Sequence, residues 1–562
     1  MKRTTGCFIL FFFLSCFQPS SAQTTITNPI LAGYYPDPSI CRVGKDYYLV
    51  NSSFSYYPGL LIFHSTDLVN WQPIGAALNR PEQLDLSGLG VSMGLFAPTI
   101  RYHKGTFYLV CTLVGKAGNF VVTAKNPSGP WSNPAWLPQV KGIDPSLFFD
   151  DNDKAYIVFN SSPPDNKPLY PGHATIRLYA FDEAGLKTTG EETILVNGGT
   201  DITKKPRWIE GPHLFKKDGY YYLLCAEGGT EYKHSEVVFR SKTVDGPYEP
   251  YQKNPVLTQR QLNPDRKYPV TSTGHADMVS TPDGRWYAVF LGCRPYSGDL
   301  YNTGRETFMV PMQWKDGWPE ILPADAAVPY TWTMPGAAVK NPIDGFSGNY
   351  YFRDAFKVGP LNMRYSFLRT VTMPWYTLNN KRGGLDMLVR PQTCSGKENP
   401  SFIGFRQAHA KGQAAISLTF SAAAENEKAG LLIFQNENHY YFLCQSVQNG
   451  LPVLQLYKGP GNAHAADAPE LLASKNISRL LKDQKLKITA NGAVYSFYYS
   501  DEGGKWVLLK GDVDAKFLST AVAGGFVGCM YALYATSSGK PSFNKARFNW
   551  FEYKGDDDSF KK

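Results

Sequence analysis

The stretch Lys217-Asp218-Gly219-Tyr220-Tyr221-Tyr222-Leu223 joins a polar turn to a run of aromatic residues, a combination typical of a β-hairpin. It recurs between residues 28 and 328 at a spacing of roughly 45 to 65 residues, the spacing of propeller blades. The five aromatic or β-branched strands are Tyr47-Tyr48-Leu49-Val50, Phe107-Tyr108-Leu109-Val110, Ala155-Tyr156-Ile157-Val158, Tyr220-Tyr221-Tyr222-Leu223 and Trp286-Tyr287-Ala288-Val289. The repeat predicts a five-bladed β-propeller over residues 23–342.

Each unit of the repeat opens with a residue flanked by Pro or Gly and followed by an apolar strand. The first strand of each blade lines the central channel of a propeller, so we expect these positions to converge at one end of the axis. The five opening positions are Asp37, Ala97-Pro98, Asp144, Glu210 and His275.

After about Pro342 the repeat stops, and short alternating apolar runs continue, such as Ala415-Ile416-Ser417-Leu418-Thr419-Phe420 and Gly430-Leu431-Leu432-Ile433-Phe434. These runs, separated by turns such as Asn491-Gly492, predict a β-sandwich over residues 343–555. The fold class is therefore all-β. The charged tail 556–562 is expected to fray.

The net charge of +9 on 562 residues is spread thinly, with no run of Lys and Arg. This argues against a nucleic-acid or membrane-surface partner. The seven cysteines beyond residue 22 are far apart and mostly embedded in apolar runs, which predicts buried free thiols.

Residues 1–22 predict a secretory signal peptide: Lys2 and Arg3 precede the apolar run Phe8–Leu14, and Ser20-Ser21-Ala22 offers a cleavage site. The apolar run is too short to span a bilayer, so we expect a secreted or periplasmic protein without a membrane-spanning segment. A lipoprotein anchored at Cys16, in Phe13-Leu14-Ser15-Cys16, is the alternative.

Three acids of the repeat suit hydrolysis of a glycosidic bond, which needs one acid to protonate the leaving oxygen and another to activate water or attack the sugar. Glu210, in Trp208-Ile209-Glu210-Gly211-Pro212-His213-Leu214, lies in an apolar setting that raises a carboxyl pKa and suits a proton donor. Asp37, in a polar Asp-Pro-Ser turn, is the candidate base. Asp144 is expected to orient Glu210 and to titrate together with it.

These segments resemble glycoside hydrolase family 43, especially its β-xylosidases and α-L-arabinofuranosidases with a C-terminal concanavalin-like β-sandwich (jelly roll). The resemblance rests on Tyr35-Pro36-Asp37-Pro38-Ser39, Gly142-Ile143-Asp144-Pro145-Ser146, Glu210-Gly211-Pro212-His213, Ser272-Thr273-Gly274-His275-Ala276 and Gly304-Arg305-Glu306-Thr307. It implies an inverting mechanism with Asp37 as general base, Glu210 as general acid and Asp144 as modulator of the pKa of Glu210.

The resemblance also implies residues that contact the substrate. Arg305 is expected to hold a substrate hydroxyl, and Phe54 and Phe96 to form walls of the sugar pocket, with Phe96 standing where related xylosidases often place Trp. His275 is expected in the channel, either as a core histidine or near a central calcium ion; no cofactor is expected to be required. Arg294 is a further pocket candidate, with a solvent-facing salt bridge as its alternative role.

The sequence therefore predicts an exo-acting, inverting glycosidase that removes terminal β-D-xylosyl or α-L-arabinofuranosyl residues from oligosaccharides of xylan, arabinoxylan or arabinan. The exo assignment depends on the sandwich, which closes one side of the pocket in the enzymes that the chain resembles. Two alternatives stay open at this point: a non-catalytic carbohydrate-binding propeller, and an endo-acting arabinanase or xylanase of the same family. A sandwich that acts as a separate carbohydrate-binding module is the rival role for residues 343–555.

Overall fold

The computed structural model describes residues 23–335, 345–357, 359–379, 381–478 and 481–561. The predicted signal peptide, with Cys16, lies outside them. The described chain is almost entirely β-structure and confirms the predicted fold class, a five-bladed propeller followed by a β-sandwich. Its few helical turns are Pro81–Gln83, Pro164–Asn166, Ile202–Lys204, Asn462–His464, Lys516–Leu518, Thr520–Ala523 and Asp558–Phe560.

The propeller consists of five antiparallel sheets, numbered here as blades 1 to 5 in chain order, each with its innermost long strand toward the channel. Blade 1 contains Ser39–Val43, Asp46–Val50, Gly59–Ser65 and Gln72–Leu78. Blade 2 contains Gly94–Leu95, Thr99–His103, Thr106–Val114, Gly118–Ala124 and Ala135–Trp136. Blade 3 contains Gly142–Phe149, Ala155–Ser161, Thr175–Asp182 and Lys187–Asn197.

Blades 4 and 5 complete the ring. Blade 4 contains Ile209–Lys217, Tyr220–Glu227, Ser235–Ser241, Glu249–Pro250 and Leu257–Thr258. Blade 5 contains Thr271–Ser280, Trp286–Cys293, Glu306–Lys315 and Trp318–Glu320. The aromatic strand of the sequence repeat is the second strand in blades 1, 3, 4 and 5, and the third in blade 2, where the short strand Gly94–Leu95 precedes the hairpin.

The ring is closed by the start of the described chain. Gln23–Thr27 pairs with Thr331–Pro335 in a separate two-stranded sheet. The Asn28 side chain donates to the Met309 carbonyl at 2.8 Å and accepts from the Met309 N–H at 2.9 Å, so it pairs with blade 5 as a strand residue would. These bonds join the first and last segments of the propeller, although the two segments do not belong to one common blade.

The sandwich consists of two eight-stranded sheets that enclose an apolar core. In spatial order the first contains Tyr376–Leu378, Leu385–Leu388, Lys545–Gly555, Lys411–Thr419, Gln484–Asn491, Val494–Ser500 and Trp506–Asp514, with Tyr351–Asp354 also paired to Lys545–Gly555. The second contains Glu470–Asn476, Leu451–Lys458, His439–Gln448, Lys428–Asn436, Met530–Thr536, Ser401–Arg406, Tyr365–Leu368 and Tyr56–Tyr57.

The last strand of that second sheet, Tyr56–Tyr57, belongs to the propeller. Phe367 pairs with Tyr57 and Leu368 with Tyr56. The strand pairing of the sandwich sheet therefore continues into the segment between the second and third strands of blade 1. Arg369, fully buried, extends the contact by donating to the Leu89 carbonyl at 2.7 Å. The two domains are thus joined by paired backbone and by buried charge.

The expectation that the tail frays is wrong. Asp557 is buried and accepts from Arg294 of blade 5 at 2.7 Å, while Arg294 also holds Glu306 through two bonds of 2.7 and 2.9 Å. The ring of Phe560 lies under the Arg294 guanidinium, 5.2 Å from its centre. One of the charges that suggested a solvated tail, the Asp557 carboxylate, is the partner of a buried propeller charge, so the tail fastens the sandwich to blade 5.

We expect Asp557→Asn to lower the free energy of unfolding by about 2 kcal/mol or more, because it leaves part of the buried Arg294 charge without its partner. Asp558→Asn is the matched control, since the Asp558 side chain is 52% exposed and its ion pair with Lys561 lies at the surface. Urea denaturation followed by tryptophan fluorescence measures both. Equal stability of the two variants would contradict the anchoring role of the tail.

Candidate active site

A cavity of about 350 Å³ opens at one end of the propeller axis. All five opening positions of the repeat line it, as the sequence predicted: Asp37, Ala97, Asp144, Glu210 and His275. Phe54, Phe96 and Arg305 line the same cavity. The propeller therefore brings the three acids and four of the five predicted substrate-contacting residues into one pocket.

The inner strands are locally distorted where they carry the acids. Asp37, Asp144 and His275 have left-handed backbone, with φ of 52°, 54° and 54°, as does Gly211 beside Glu210, with φ of 56°. The strand pairing shifts register at the same places in blades 3, 4 and 5. Such bulges re-aim side chains at the price of backbone strain, which is common at functional sites. Here they turn the acids from the blade toward the pocket.

Gly211 has a second reason to be glycine. A Cβ at this position would lie 2.9 Å from the ring of His275, in addition to the strain of a left-handed non-glycine residue. The glycine that follows Glu210 in the sequence is therefore required by close packing between blades 4 and 5.

Asp37 is held by two neighbours. Arg305 donates to its two carboxylate oxygens at 2.9 and 3.4 Å, and the Ser52 hydroxyl donates at 2.5 Å. The Arg305 Nε is buried and has no protein partner among the described residues, so it is free to donate to a substrate hydroxyl. Arg305 thus positions the candidate base and still offers one donor to the pocket.

Glu210 and Asp144 titrate as neighbours. The pKa of Glu210 is raised to about 7: burial is the largest cause and Asp37 adds to it, whereas Arg305 and Arg207 oppose the shift. Burial also raises the pKa of Asp144 well above its usual range, with Glu210 the second cause. Asp144 accepts from the Gly211 N–H at 3.1 Å, so it holds the backbone next to Glu210. A carboxyl that keeps its proton near neutral pH fits a general acid.

Three phenylalanines form an apolar wall beside the acids. The ring centres of Phe54 and Phe96 lie 5.0 Å apart, and Phe526 lies 5.9 Å from Phe54 and 5.8 Å from Phe96. Phe526 belongs to the sandwich and lines the pocket. One wall of the site is therefore supplied by the second domain.

The segment around Phe526 is fixed against the propeller. Its N–H donates to the Ser92 hydroxyl at 3.0 Å, and the Cys529 N–H donates to the Asn302 carbonyl at 2.8 Å. Between them, Gly528 packs on the backbone beside Gly304, where a Cβ would lie 2.6 Å from the Thr303 carbonyl oxygen. This contact is one residue from Arg305, so the sandwich supports the arginine as well as the wall.

Sequence reasoning missed Phe526, because it lies in the sandwich and follows no period of the propeller repeat. The adjacent glycines Gly524 and Gly525 are the only local signal of a tight turn at this place. It also missed the rim that blades 3 and 4 provide. The rim residues are Asn160, Ser161, Ser162, Pro163, His173, Ala174, Trp208 and Thr230.

Arg294 is not among the pocket residues. Its guanidinium is buried and fully engaged by Glu306, by Asp557 and by the Ala408 carbonyl at 2.7 Å. It therefore makes neither the substrate contact nor the solvent-facing salt bridge considered from the sequence. The partner that changes its role, Asp557, lies 263 residues away along the chain.

Below the acids, the channel is filled by a polar network around Asp277. Its carboxylate accepts from Arg101 at 2.9 Å, from the Ser39 hydroxyl at 2.8 Å and from the Ile40 N–H at 3.0 Å. Arg101 also contacts His213 at 3.1 Å, and His213 lies 3.1 Å from the Ser146 hydroxyl. The network joins all five blades and satisfies the charges that line the axis.

The residues near His275 do not fit a calcium site. Calcium takes six to eight oxygen ligands, but Asp37 and Asp277 are already paired with Arg305 and Arg101. Among the described residues, no group of three or more His, Cys, Asp or Glu is arranged to hold a metal ion. Burial lowers the pKa of His275, which suits a neutral imidazole that lines the pocket.

Comparison with known proteins agrees with this geometry. The sequence model for glycosyl hydrolases family 43 matches residues 26–319, and the model for the beta xylosidase C-terminal concanavalin A-like domain matches residues 353–554. The chain belongs to glycosyl hydrolase family 43. The resemblance stated from the motifs is thereby confirmed, including the concanavalin-like second domain.

Two relatives and one solved structure match over almost their whole length. A xylosidase/arabinosidase of Butyrivibrio fibrisolvens is 40% identical over 93% of this chain and 98% of its own. A non-reducing end alpha-L-arabinofuranosidase of Bacteroides ovatus is 37% identical over 99% of both chains. The crystal structure of a xylan beta-1,4-xylosidase from Bacillus halodurans superposes with a TM-score of 0.84 at 31% identity, covering 94% of this chain and 100% of that one.

We expect glycoside hydrolysis by this family 43 protein to decline as pH rises through about 7, because Glu210 then loses the proton that it must donate. Arg207 opposes the raised pKa of Glu210, so Arg207→Ala should move the alkaline limb to higher pH. The pH profile of kcat/KM measures both. An alkaline limb that stays in place or moves to lower pH in Arg207→Ala would contradict the assignment of that limb to Glu210.

Phe526→Ala should raise KM by roughly tenfold and change kcat less, because the wall contacts the sugar before and during the reaction. Phe543→Ala is the matched control, since Phe543 is 99% exposed and belongs to the same domain. Initial rates with a 4-nitrophenyl glycoside measure both variants. Unchanged kinetics in Phe526→Ala would show that the sandwich does not contribute to substrate binding.

Proposed function

We propose that this chain is an inverting exo-glycosidase that removes terminal β-D-xylosyl or α-L-arabinofuranosyl residues from oligosaccharides of plant cell walls. The observation that carries the proposal is the placement of the Arg305-bound carboxylate of Asp37 in one pocket with Glu210, whose pKa is raised to about 7. A base and an acid with separate environments are what inverting hydrolysis requires.

In this mechanism Glu210 donates its proton to the glycosidic oxygen as the bond to the leaving group breaks. Asp37 accepts a proton from the water that attacks the opposite face of the sugar, and Arg305 and Ser52 hold its carboxylate in place. Asp144 accepts a hydrogen bond from the Gly211 N–H and so fixes the backbone next to Glu210. The apolar wall excludes bulk water from the charge that develops on the sugar ring.

The names of the relatives indicate the class of terminal sugar, xylose or arabinofuranose, and do not choose between the two. The matched proteins are named for xylosidase, for arabinofuranosidase or for both activities. The pocket here has Phe96 on its wall, which can contact either sugar through an apolar face. We therefore propose both terminal sugars as substrates of one site.

The exo mode is supported by Phe526. A wall from the second domain narrows the pocket, whereas an endo-acting enzyme needs an open groove on both sides of the scissile bond. A sandwich residue in the pocket also favours closure over a separate carbohydrate-binding module. A purely sugar-binding propeller would not need an acid with a pKa near 7 beside an ion-paired carboxylate.

Only the first residues of the sequence bear on the cellular location. Met1–Ala22 has the composition of an export signal, so we propose that the enzyme acts outside the cytoplasm, in the periplasm or after secretion, with lipidation at Cys16 as the alternative. Within the part of the chain that the structure describes, no helix has the length and apolarity needed to cross a bilayer.

The direct test is a panel of 4-nitrophenyl glycosides with the anomer of the first product followed by NMR. Release of nitrophenol from β-D-xyloside or α-L-arabinofuranoside is expected, with the anomeric configuration of the released sugar inverted. Retention of configuration would contradict the proposed mechanism. Absence of release from every glycoside would contradict the proposed activity.

The two acids can be distinguished by the leaving group. Glu210→Ala should slow hydrolysis of oligosaccharides by about 10²–10⁴-fold but that of dinitrophenyl glycosides far less, because a good leaving group departs without protonation. Asp37→Ala should slow both substrates similarly, by about 10³-fold or more, because both need the activated water. Circular dichroism checks that each variant is folded. Near-normal rates of oligosaccharide hydrolysis in either variant would overturn the assignment.

A further inference from the structure

Glu236 is a buried acid that neither the sequence motifs nor the roles assigned above use. It lies on the third strand of blade 4, Ser235–Ser241, and is fully buried. One of its carboxyl oxygens accepts from the Ala276 N–H of blade 5 at 2.9 Å. The other, Oε1, is buried without a hydrogen-bond partner among the described residues. Glu236 therefore binds the backbone directly after His275, which lines the catalytic pocket.

The backbone that Glu236 binds is bulged. His275 has left-handed backbone, with φ of 54°. The strand pairing of blade 5 shifts register between Thr271 and Gly274 and again between Gly274 and Asp277. N–H groups in a bulge lose their partners in the strand ladder, so another acceptor has to satisfy them when they are buried. For the Ala276 N–H that acceptor is the carboxyl of Glu236.

His234, two residues before Glu236, holds the beginning of the same bulge. Its Nδ1 donates to the Ser272 carbonyl at 3.0 Å, and Ser272 also has left-handed backbone, with φ of 56°. A Cβ at Gly274 would lie 2.8 Å from the His234 ring, so the ring packs directly on the bulge. Residues 234–236 of blade 4 thus support the bulge of blade 5 at both of its halves.

The bulge places the His275 ring against the residue that follows the general acid. A Cβ at Gly211 would lie 2.9 Å from this ring. Gly211 is also held by Asp144, which accepts from its N–H at 3.1 Å. The backbone beside Glu210 therefore depends on a series of contacts that begins at the carboxyl of Glu236.

The role of Glu236 in these contacts is geometric and needs no charge. Burial raises the pKa of Glu236 well above its usual range, and the nearby Asp277 carboxylate adds to the shift. The neutral carboxyl is thereby favoured. An amide of the same length has an acceptor oxygen with the same reach, whereas a shorter side chain leaves the Ala276 N–H without its acceptor.

We propose that Glu236 is a positioning residue of the catalytic centre: it holds the His275 bulge, and through the His275 ring and Gly211 it keeps Glu210 directed into the pocket. The proposal rests on the proposed glycosidase function and adds to it a residue that touches neither the substrate nor the reacting atoms. The supporting strand lies behind the pocket, so blade 4 supplies both the acid and the residue that positions it.

The first test changes the length and the charge of the side chain separately. Glu236→Asp shortens it by one methylene and should lower kcat at least about tenfold for xylotriose or arabinotriose, whichever the wild type cleaves. Glu236→Gln keeps an acceptor oxygen at the same reach and should retain kcat within about threefold. Glu427→Asp is the matched control, because Glu427 is a buried carboxyl of the sandwich that accepts from the Ala423 N–H at 2.8 Å. It should leave kcat unchanged.

The second test uses the leaving group to distinguish a misplaced acid from a general loss of structure. Glu236→Asp should slow a dinitrophenyl glycoside by no more than about threefold, because that leaving group departs without the proton of Glu210. A protein that is merely less stable would slow both substrates equally. The crystal structure of Glu236→Asp should show the His275 ring moved away from Gly211.

Equal slowing of both substrates by Glu236→Asp would overturn the proposal, as would wild-type rates on both. If Glu236→Asp does not fold, Glu236→Gln decides, since a tenfold loss of kcat in that variant contradicts a geometric role. Failure of the proposed function gives a different result, because the wild type would then hydrolyse neither a trisaccharide nor a dinitrophenyl glycoside. The crystal structure would still test whether Glu236 holds the His275 ring against Gly211.

Discussion

The left-handed backbone at the start of the inner strands is the constraint on which the site depends. Asp37, Asp144 and His275 themselves adopt it, and Gly211 adopts it next to Glu210. Without these bulges the inner strands would continue as regular ladders, and the acids would alternate between the faces of their blades. The strain is held by contacts between blades: Arg305 on Asp37, Asp144 on the Gly211 N–H, and the ring of His275 against Gly211.

The sandwich is structurally part of this site. Its sheet continues into the propeller through Tyr56–Tyr57, two residues after Phe54, and its Phe526 completes the wall that Phe54 begins. Buried charges on blade 5 are satisfied by Asp557 from the end of the chain. A domain fastened at three places can supply a wall of the pocket with little freedom to move.

Much of the architecture was predictable because it follows local rules. A tight turn before Tyr220 and its counterparts gives hairpins at a regular spacing, and a closed ring of blades places every first strand at the axis. That is why Glu210 and Asp37 could be paired across 173 positions of sequence. The fate of Arg294 and of the tail could not be predicted, because each depends on the other at a distance of 263 residues.

The sequence by itself determined the all-β class, the five repeats and the three acids, since hairpin turns and strand periodicity are written in neighbouring residues. Only the tertiary structure decided which side chains meet between domains. It placed Phe526 on the pocket wall and paired Arg305 with Asp37. Such contacts join residues that share no local pattern, and only packing of the sandwich on the propeller brings them within reach.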